Sequence, residues 1–313
     1  MNKKILLLCF ITAFTFGCNN VVDVQEPDTE VVPETAISAI KTRYPDAGQF
    51  VFKTLIQDQL WKAKFFSRAN SYETQVSPSA ISGDVFINTN DVSLYKGLTD
   101  KLVVSGGTLS NVQLRENAGD NAARMQYMLN GKAQLLNYYV LADWHIVKLS
   151  APYPVESYTV ELSEVPEKIA SFCSQAKIDI DSTQIVVNED QANKKTYIIH
   201  PEAALFPIFF DQEGNVKWIA KNSDGSALED KRNDEVGSAE LFDKIKGGFT
   251  DFNVPNTLAF EAKYNDLSSI RYVFQRKSGP EGTRDFISET HEVFVNGNSG
   301  EVIFEQYSSY VYK

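Results

Sequence analysis

"LFPIFFDQEGNVKW", residues 205–218, sets two apolar runs on either side of Asp211-Gln-Glu-Gly-Asn215. A near copy, "EVFVNGNSGEVIF", occupies residues 292–304. Oxygen-rich clusters of this kind are either metal loops or the turns of β-hairpins. Gly supplies positive φ and Asn or Asp tolerates it, which a tight strand connection requires. A calcium loop needs several acidic oxygens at fixed spacing, and the second copy has no carboxylate inside its turn. Both stretches therefore read as hairpins, with no metal and no cofactor expected.

Working outward, each hairpin closes a longer unit. "VVPETAISAIKTRYPDAGQFVFK" (31–53) and "EVPEKIASFCSQAKIDIDSTQIVV" (164–187) share a Val-Pro-Glu opening, a short helical pattern, a break and a strand. Pro33 and Pro166 suit a first helical turn, and Glu34 and Glu167 favour its positive end. Ile37, Ile40 and Tyr44 make one face of the first helix; Ile169, Phe172, Cys173 and Ala176 make one face of the second. A third copy runs over 237–264, with Ser238 as N-cap and Leu241, Phe242, Ile245 and Phe249 as the apolar stripe. Gly247-Gly248 and Pro255 supply breaks after it. Strands follow each helix, with period-two alternation clearest at Arg271–Gln275. Residues 82–160 read as strands, with a hairpin signal at Asn130-Gly131, and either complete the first unit as a large β-rich insertion or form a separate sheet.

The expected fold class is thus α+β: tandem modules of one short helix packed on an antiparallel sheet of three to four strands. The boundaries are a leader at 1–17, an acidic tether at 18–33, a first module at 34–160, a second at 161–222, a linker at 223–236 and a third module at 237–313.

The leader "MNKKILLLCFITAFTFGC" has Lys3 and Lys4, then an apolar run too short for a membrane span. Gly17-Cys18 resembles the lipobox of bacterial lipoproteins, whose Cys is lipidated and becomes the first mature residue. Thr15 and Phe16 depart from the usual Leu and small residue. In Gram-negative lipoproteins an Asp after the Cys marks inner-membrane retention; Asn19 stands here, which points to the outer membrane, on its periplasmic or exposed side. An acyl chain on Cys18 anchors without a spanning helix. "NNVVDVQEPDTEVVPE" then reads as a flexible tether.

The chain has 313 residues and a net charge of −11, spread without a basic block beyond the leader, which excludes nucleic acid as a partner. Aromatic content of 12% favours strands. Of the three cysteines, two belong to the leader region, so Cys173 has no partner and reads as a buried thiol.

The Val-Pro-Glu helix, the Tyr44-Pro45-Asp46 break and the "FFDQEGNVKW" hairpin together resemble the PepSY-like, or β-lactamase-inhibitor-like, family of secreted and lipid-anchored Gram-negative proteins. The resemblance covers about 34–76, 164–220 and 237–313. It implies small helix-on-sheet modules that bind or restrain extracytoplasmic partners, including peptidases, without catalysis.

No reactive constellation stands out. The three histidines, His145, His200 and His291, are far apart and lack zinc spacing. Asp143 and His145 are the one tempting local pair, but no GxSxG accompanies them. Glu34 with Asp46, and Asp179 with Asp181, fall where helix starts and loops place carboxylates. Trp61, Trp144, Trp218, Tyr307 and Tyr310 are the candidate binding aromatics for a peptide or glycan, with core packing as the competing role. The expectation is a lipid-anchored, non-catalytic binding module for an extracytoplasmic protein or peptide. The alternatives are an envelope scaffold, a glycan-binding lipoprotein or, last, a hydrolase.

Overall fold

The structure, a computed structural model, describes residues 34–116, 122–178, 184–201, 206–220, 231–232, 235–246, 252, 258–281, 283 and 285–312. The leader, Cys18, the tether, most of the 223–236 linker, Asp179, Asp181, Gly247-Gly248, Phe249 and Pro255 lie outside the described residues.

After helix α1 (Glu34–Arg43) come β1 (Gly48–Ile56), β2 (Leu60–Ser67), β3 (Asn70–Val76) and β4 (Phe86–Thr89). A helix at Ser93–Thr99, α2, precedes β5 (Thr108–Arg115), β6 (Ala123–Leu129), β7 (Lys132–Leu141) and β8 (Trp144–Ala151). The chain then forms β9 (Glu156–Val160), α3 (Glu167–Gln175), β10 (Gln184–Glu189), β11 (Lys195–His200), β12 (Ile208–Phe210) and β13 (Val216–Trp218). Last are β14 (Lys231–Arg232), α4 (Ala239–Lys246), β15 (Leu258–Tyr264), β16 (Leu267–Ser278), β17 (Ile287–Asn296) and β18 (Val302–Tyr312).

These strands do not build tandem modules, and the α+β expectation is overturned. One antiparallel sheet of thirteen strands runs in the order β1 to β8, then β18, β17, β16, β15 and β14; a second sheet of five strands runs from β13 to β9. The join is β8 with β18, paired from Ala151↔Glu305 to Trp144↔Tyr312. Two separate modules would each leave a long, apolar-flanked edge with unsatisfied N–H and C=O groups; pairing them removes both edges. The helices are also too short to cover sheets of this size alone. Residues 82–160 continue the first sheet strand by strand from β3 to β8, and β9 crosses to the second.

Alternation along the strands gives the large sheet two unlike faces. Met125 and Tyr127 of β6, Leu136 and Tyr138 of β7, Val147 and Leu149 of β8, and Tyr272 and Phe274 of β16 point into one core with α2 and α4. Trp61, Ala63 and Phe65 of β2 do the same beneath α1. The residues between them, including Lys62, Lys64, Arg124 and Gln126, face the other way.

The small sheet packs on that second face. Ile185, Val187, Ile199 and Phe210 meet Ile169 and Cys173 of α3, whereas Ile198, Phe209 and Trp218 meet Phe294 and Phe304 of the large sheet. Burial on both faces is why Ile208-Phe209-Phe210 reads as an unbroken apolar run. Leu55 and Leu60, beside the β1–β2 turn, and Tyr264 and Leu267, beside the β15–β16 turn, also reach the α3-side core. The large sheet therefore wraps the small one from both ends.

The opening hairpin is a structural turn. Asp211 N–H donates to the Asn215 carbonyl (3.0 Å) and Gly214 N–H to the Asp211 carbonyl (3.0 Å), with Gly214 at φ 79°. Asp211 Oδ1 accepts the N–H groups of Glu213 and Asn215 at 3.1 and 2.8 Å, so its carboxylate holds the turn. The Asn130-Gly131 connection between β6 and β7 has φ 51° and 76°, as a two-residue hairpin requires.

Candidate functional site: a polar cleft between the sheets

Where the small sheet stops short of β2–β7, a cleft of about 900 Å³ opens. Its floor is the outward-facing row of β2 to β6, and its wall is Tyr153–Ser157 with Gln191. Register brings the floor residues together: Lys64 pairs with Glu73 across β2–β3, and Gln113 with Arg124 across β5–β6.

A charged network runs through this floor. Lys62 Nζ lies 3.0 Å from Glu73 Oε1 and 3.0 Å from Glu156 Oε2, bridging the large sheet to the wall. Arg124 Nη2 is 3.0 Å from Glu73 Oε1, its Nε donates to Gln113 Oε1 at 2.6 Å, and its guanidinium lies 3.7 Å from the Phe86 ring centroid. Gln113 Nε2 donates to Asn88 Oδ1 (2.8 Å), and Asn88 Nδ2 to Ser71 Oγ (3.0 Å). Lys53 approaches Glu156 and Glu189 at 3.4 and 3.5 Å from the far side. Gln75 Nε2 caps the Ser157 carbonyl of β9 at 2.6 Å.

The Glu73 side chain is 6% exposed. Burial alone would raise its carboxyl, but Lys62 and Arg124 outweigh that and hold it below the usual carboxylate range. A general acid needs the opposite shift. Burial raises the Tyr153 hydroxyl, which makes no hydrogen bond among the described residues. Glu73, Lys62, Arg124 and Tyr153 were not singled out by sequence. Their signal is the polar beat on alternate strand positions, as in Glu73/Gln75, Asn111/Gln113 and Arg124/Gln126.

The candidate aromatics are not brought together. Trp61, Trp218 and Tyr307 are 1–2% exposed and belong to the interior. Trp61 sits under α1, Trp218 donates its indole N–H to the Ile270 carbonyl at 3.0 Å, and Tyr307 donates to Glu289 Oε1 at 2.7 Å. Half-buried Trp144 stacks edgewise on Phe286 and Tyr312. Tyr310 alone is exposed, at 41%. None of the five lines the cleft.

Asp143 sits in the β7–β8 turn, exposed, rather than on a strand beside His145. His145 Nδ1 is 2.8 Å from the Tyr138 hydroxyl. His200 ends β11 and His291 lies buried in β17, so the three histidines occupy separate regions. The Asp46 carboxylate accepts Ser67 Oγ and the Arg68 N–H at 2.7 and 2.9 Å, fixing the β2–β3 turn. Burial pushes the Cys173 thiol up to about 11, which keeps it unreactive.

Among the described residues no helix is long and apolar enough to cross a membrane. Comparison of the chain with protein-family models, curated proteins and solved structures finds no match to any of them.

Proposed function

We propose that this chain is a lipid-anchored, non-catalytic binding protein of the cell envelope, held at the outer membrane through Cys18, and that its ligand seats in the cleft between the two sheets. The cleft's charged floor carries this reading. Burying Glu73 with Lys62 and Arg124 costs desolvation that apolar side chains of similar volume would avoid, so such a network is weak as a device for stability. It does pre-position polar groups on paired strands, which suits recognition. The leader supports the extracytoplasmic address, and the PepSY-like resemblance supports binding without catalysis.

The test is site-specific photocrosslinking in cells that express the full chain. A photoreactive residue at Gln126, in the cleft, should give a discrete adduct that the same residue at Leu141, outside it, does not. Equal adducts from both positions, or none from Gln126, would count against the cleft. Cys18→Ala should abolish acyl labelling and release the protein from membranes; unchanged retention would refute the anchor.

A further inference from the structure

We propose that the cleft takes a neutral oligosaccharide; this rests on the reading of the cleft as the binding site. The charges supply the first reason. Glu73, Glu156, Lys62 and Arg124 are satisfied by one another at 3.0 Å, so a polyanion would have to displace Glu73 from Arg124, and a polycation would have to displace Lys62. With the more exposed Lys64 and Asp84 included, the cations Lys62, Lys64 and Arg124 balance the carboxylates Glu73, Asp84 and Glu156, so the lining offers no net charge of either sign to a charged ligand.

Around this locked floor stands a second set of groups with capacity to spare. Gln75 uses its Nε2 on Ser157 and leaves Oε1, and Asn111 donates Nδ2 to Gln126 Oε1 at 3.1 Å, leaving its own Oδ1 and the Gln126 Nε2. Asn90, Tyr153 and Gln191 make no side-chain hydrogen bond among the described residues. Donors and acceptors are thus both on offer. Sugar hydroxyls match that supply because each donates one hydrogen bond and accepts two. The Tyr153 ring, half-buried in the wall, adds a flat apolar face for sugar C–H groups beside a polar tip.

Two competing ligand classes fit less well. Most apolar residues of these strands face the helices, and those that do line the cleft, such as Phe86, Leu135 and Val155, are interspersed with polar groups rather than forming the continuous apolar surface that a lipid or hydrophobic peptide needs. An extended peptide draws affinity from an open strand edge. Yet β3, β4, β5 and β6 are each paired on both sides, and the one strand edge at the cleft, β9 in the wall, already has its Ser157 carbonyl taken by Gln75. The volume of about 900 Å³ has room for several linked sugar rings.

Calorimetry on the full chain in detergent tests this, with neutral oligosaccharides, acidic oligosaccharides and short charged peptides as probes. The expected result is binding of neutral oligosaccharides with a Kd that does not change from low to high salt. It should weaken at least tenfold in Tyr153→Ala and in Gln191→Ala, the latter on an exposed turn whose change leaves the fold intact. Tyr153→Phe should retain part of the affinity. Cleft-dependent binding of acidic sugars or charged peptides instead, weakening with salt, would overturn the saccharide assignment and leave the binding role standing. Binding by none of the probes would overturn the saccharide assignment, and Gln126 adducts in cells would then show whether the binding role survives it.

Discussion

Lys62 is the residue on which the cleft turns, because one ammonium group holds a carboxylate of the floor and one of the wall at 3.0 Å. Its partner Glu73 serves Lys62, Arg124 and, at 3.5 Å, Lys64 at once, so removing that charge leaves three cations facing one another in a partly buried site. Glu73→Gln is expected to destabilise the protein by about 2 kcal/mol, below the ~3–5 of fully buried pairs because Arg124 remains partly solvated. Denaturant unfolding measures it, and adding Arg124→Gln should recover part of the loss. A second residue-scale expectation concerns acid. Burial would raise the Glu305 carboxyl, but His291, 3.7 Å away, and the hydrogen-bonded Lys132 outweigh it and hold it at about 2. A carboxyl depressed in the fold adds stability at pH above its ordinary value of 4.5, and this is lost as pH falls from there towards about 2. Burial lowers His291 although Glu305 pulls it up, so protonation below its ordinary 6.5 also opposes folding. Stability should therefore fall steadily below neutral pH. Glu305→Gln should flatten the limb between about 4.5 and 2, and an unchanged melting-temperature profile would refute the assignment.

At the scale of elements, the contact between β13 and the large sheet decides whether the small sheet is held. Trp218 is 1% exposed, packs edgewise on Phe294 at 4.9 Å between ring centroids, and spends its N–H on Ile270. Trp218→Ala should cost about 3–5 kcal/mol, and a loss under 1 kcal/mol would mean the two sheets are not coupled there. Much at this scale was legible in the sequence. The helices after Val-Pro-Glu form at Glu34 and Glu167, Ser238 Oγ accepts the Leu241 N–H at 3.1 Å as an N-cap, and both oxygen-rich stretches are turns. These features are local, set by caps, breaks and glycine φ. Helix α2 was missed, since its seven residues sit between strand patterns and lack a side-chain cap.

The whole molecule was the illegible part. Repeats in sequence suggested repeats in space, but whether neighbouring units keep their own sheets depends on their edges. The β8–β18 pairing joins residues about 160 positions apart, and no local pattern announces it. The cleft shares that origin: Arg124 and Glu73 come from β6 and β3, and Glu156 from a strand of the other sheet. Only the alternation of polar residues hinted that the second face was not core. The binding claim is most directly tested by hydrogen exchange of the full chain with and without soluble envelope saccharides. The account expects added protection to appear together in β5, β6 and residues 153–157, the floor and the wall of one cleft. Protection confined to the β1 edge, or absent from either the floor or the wall, would contradict it.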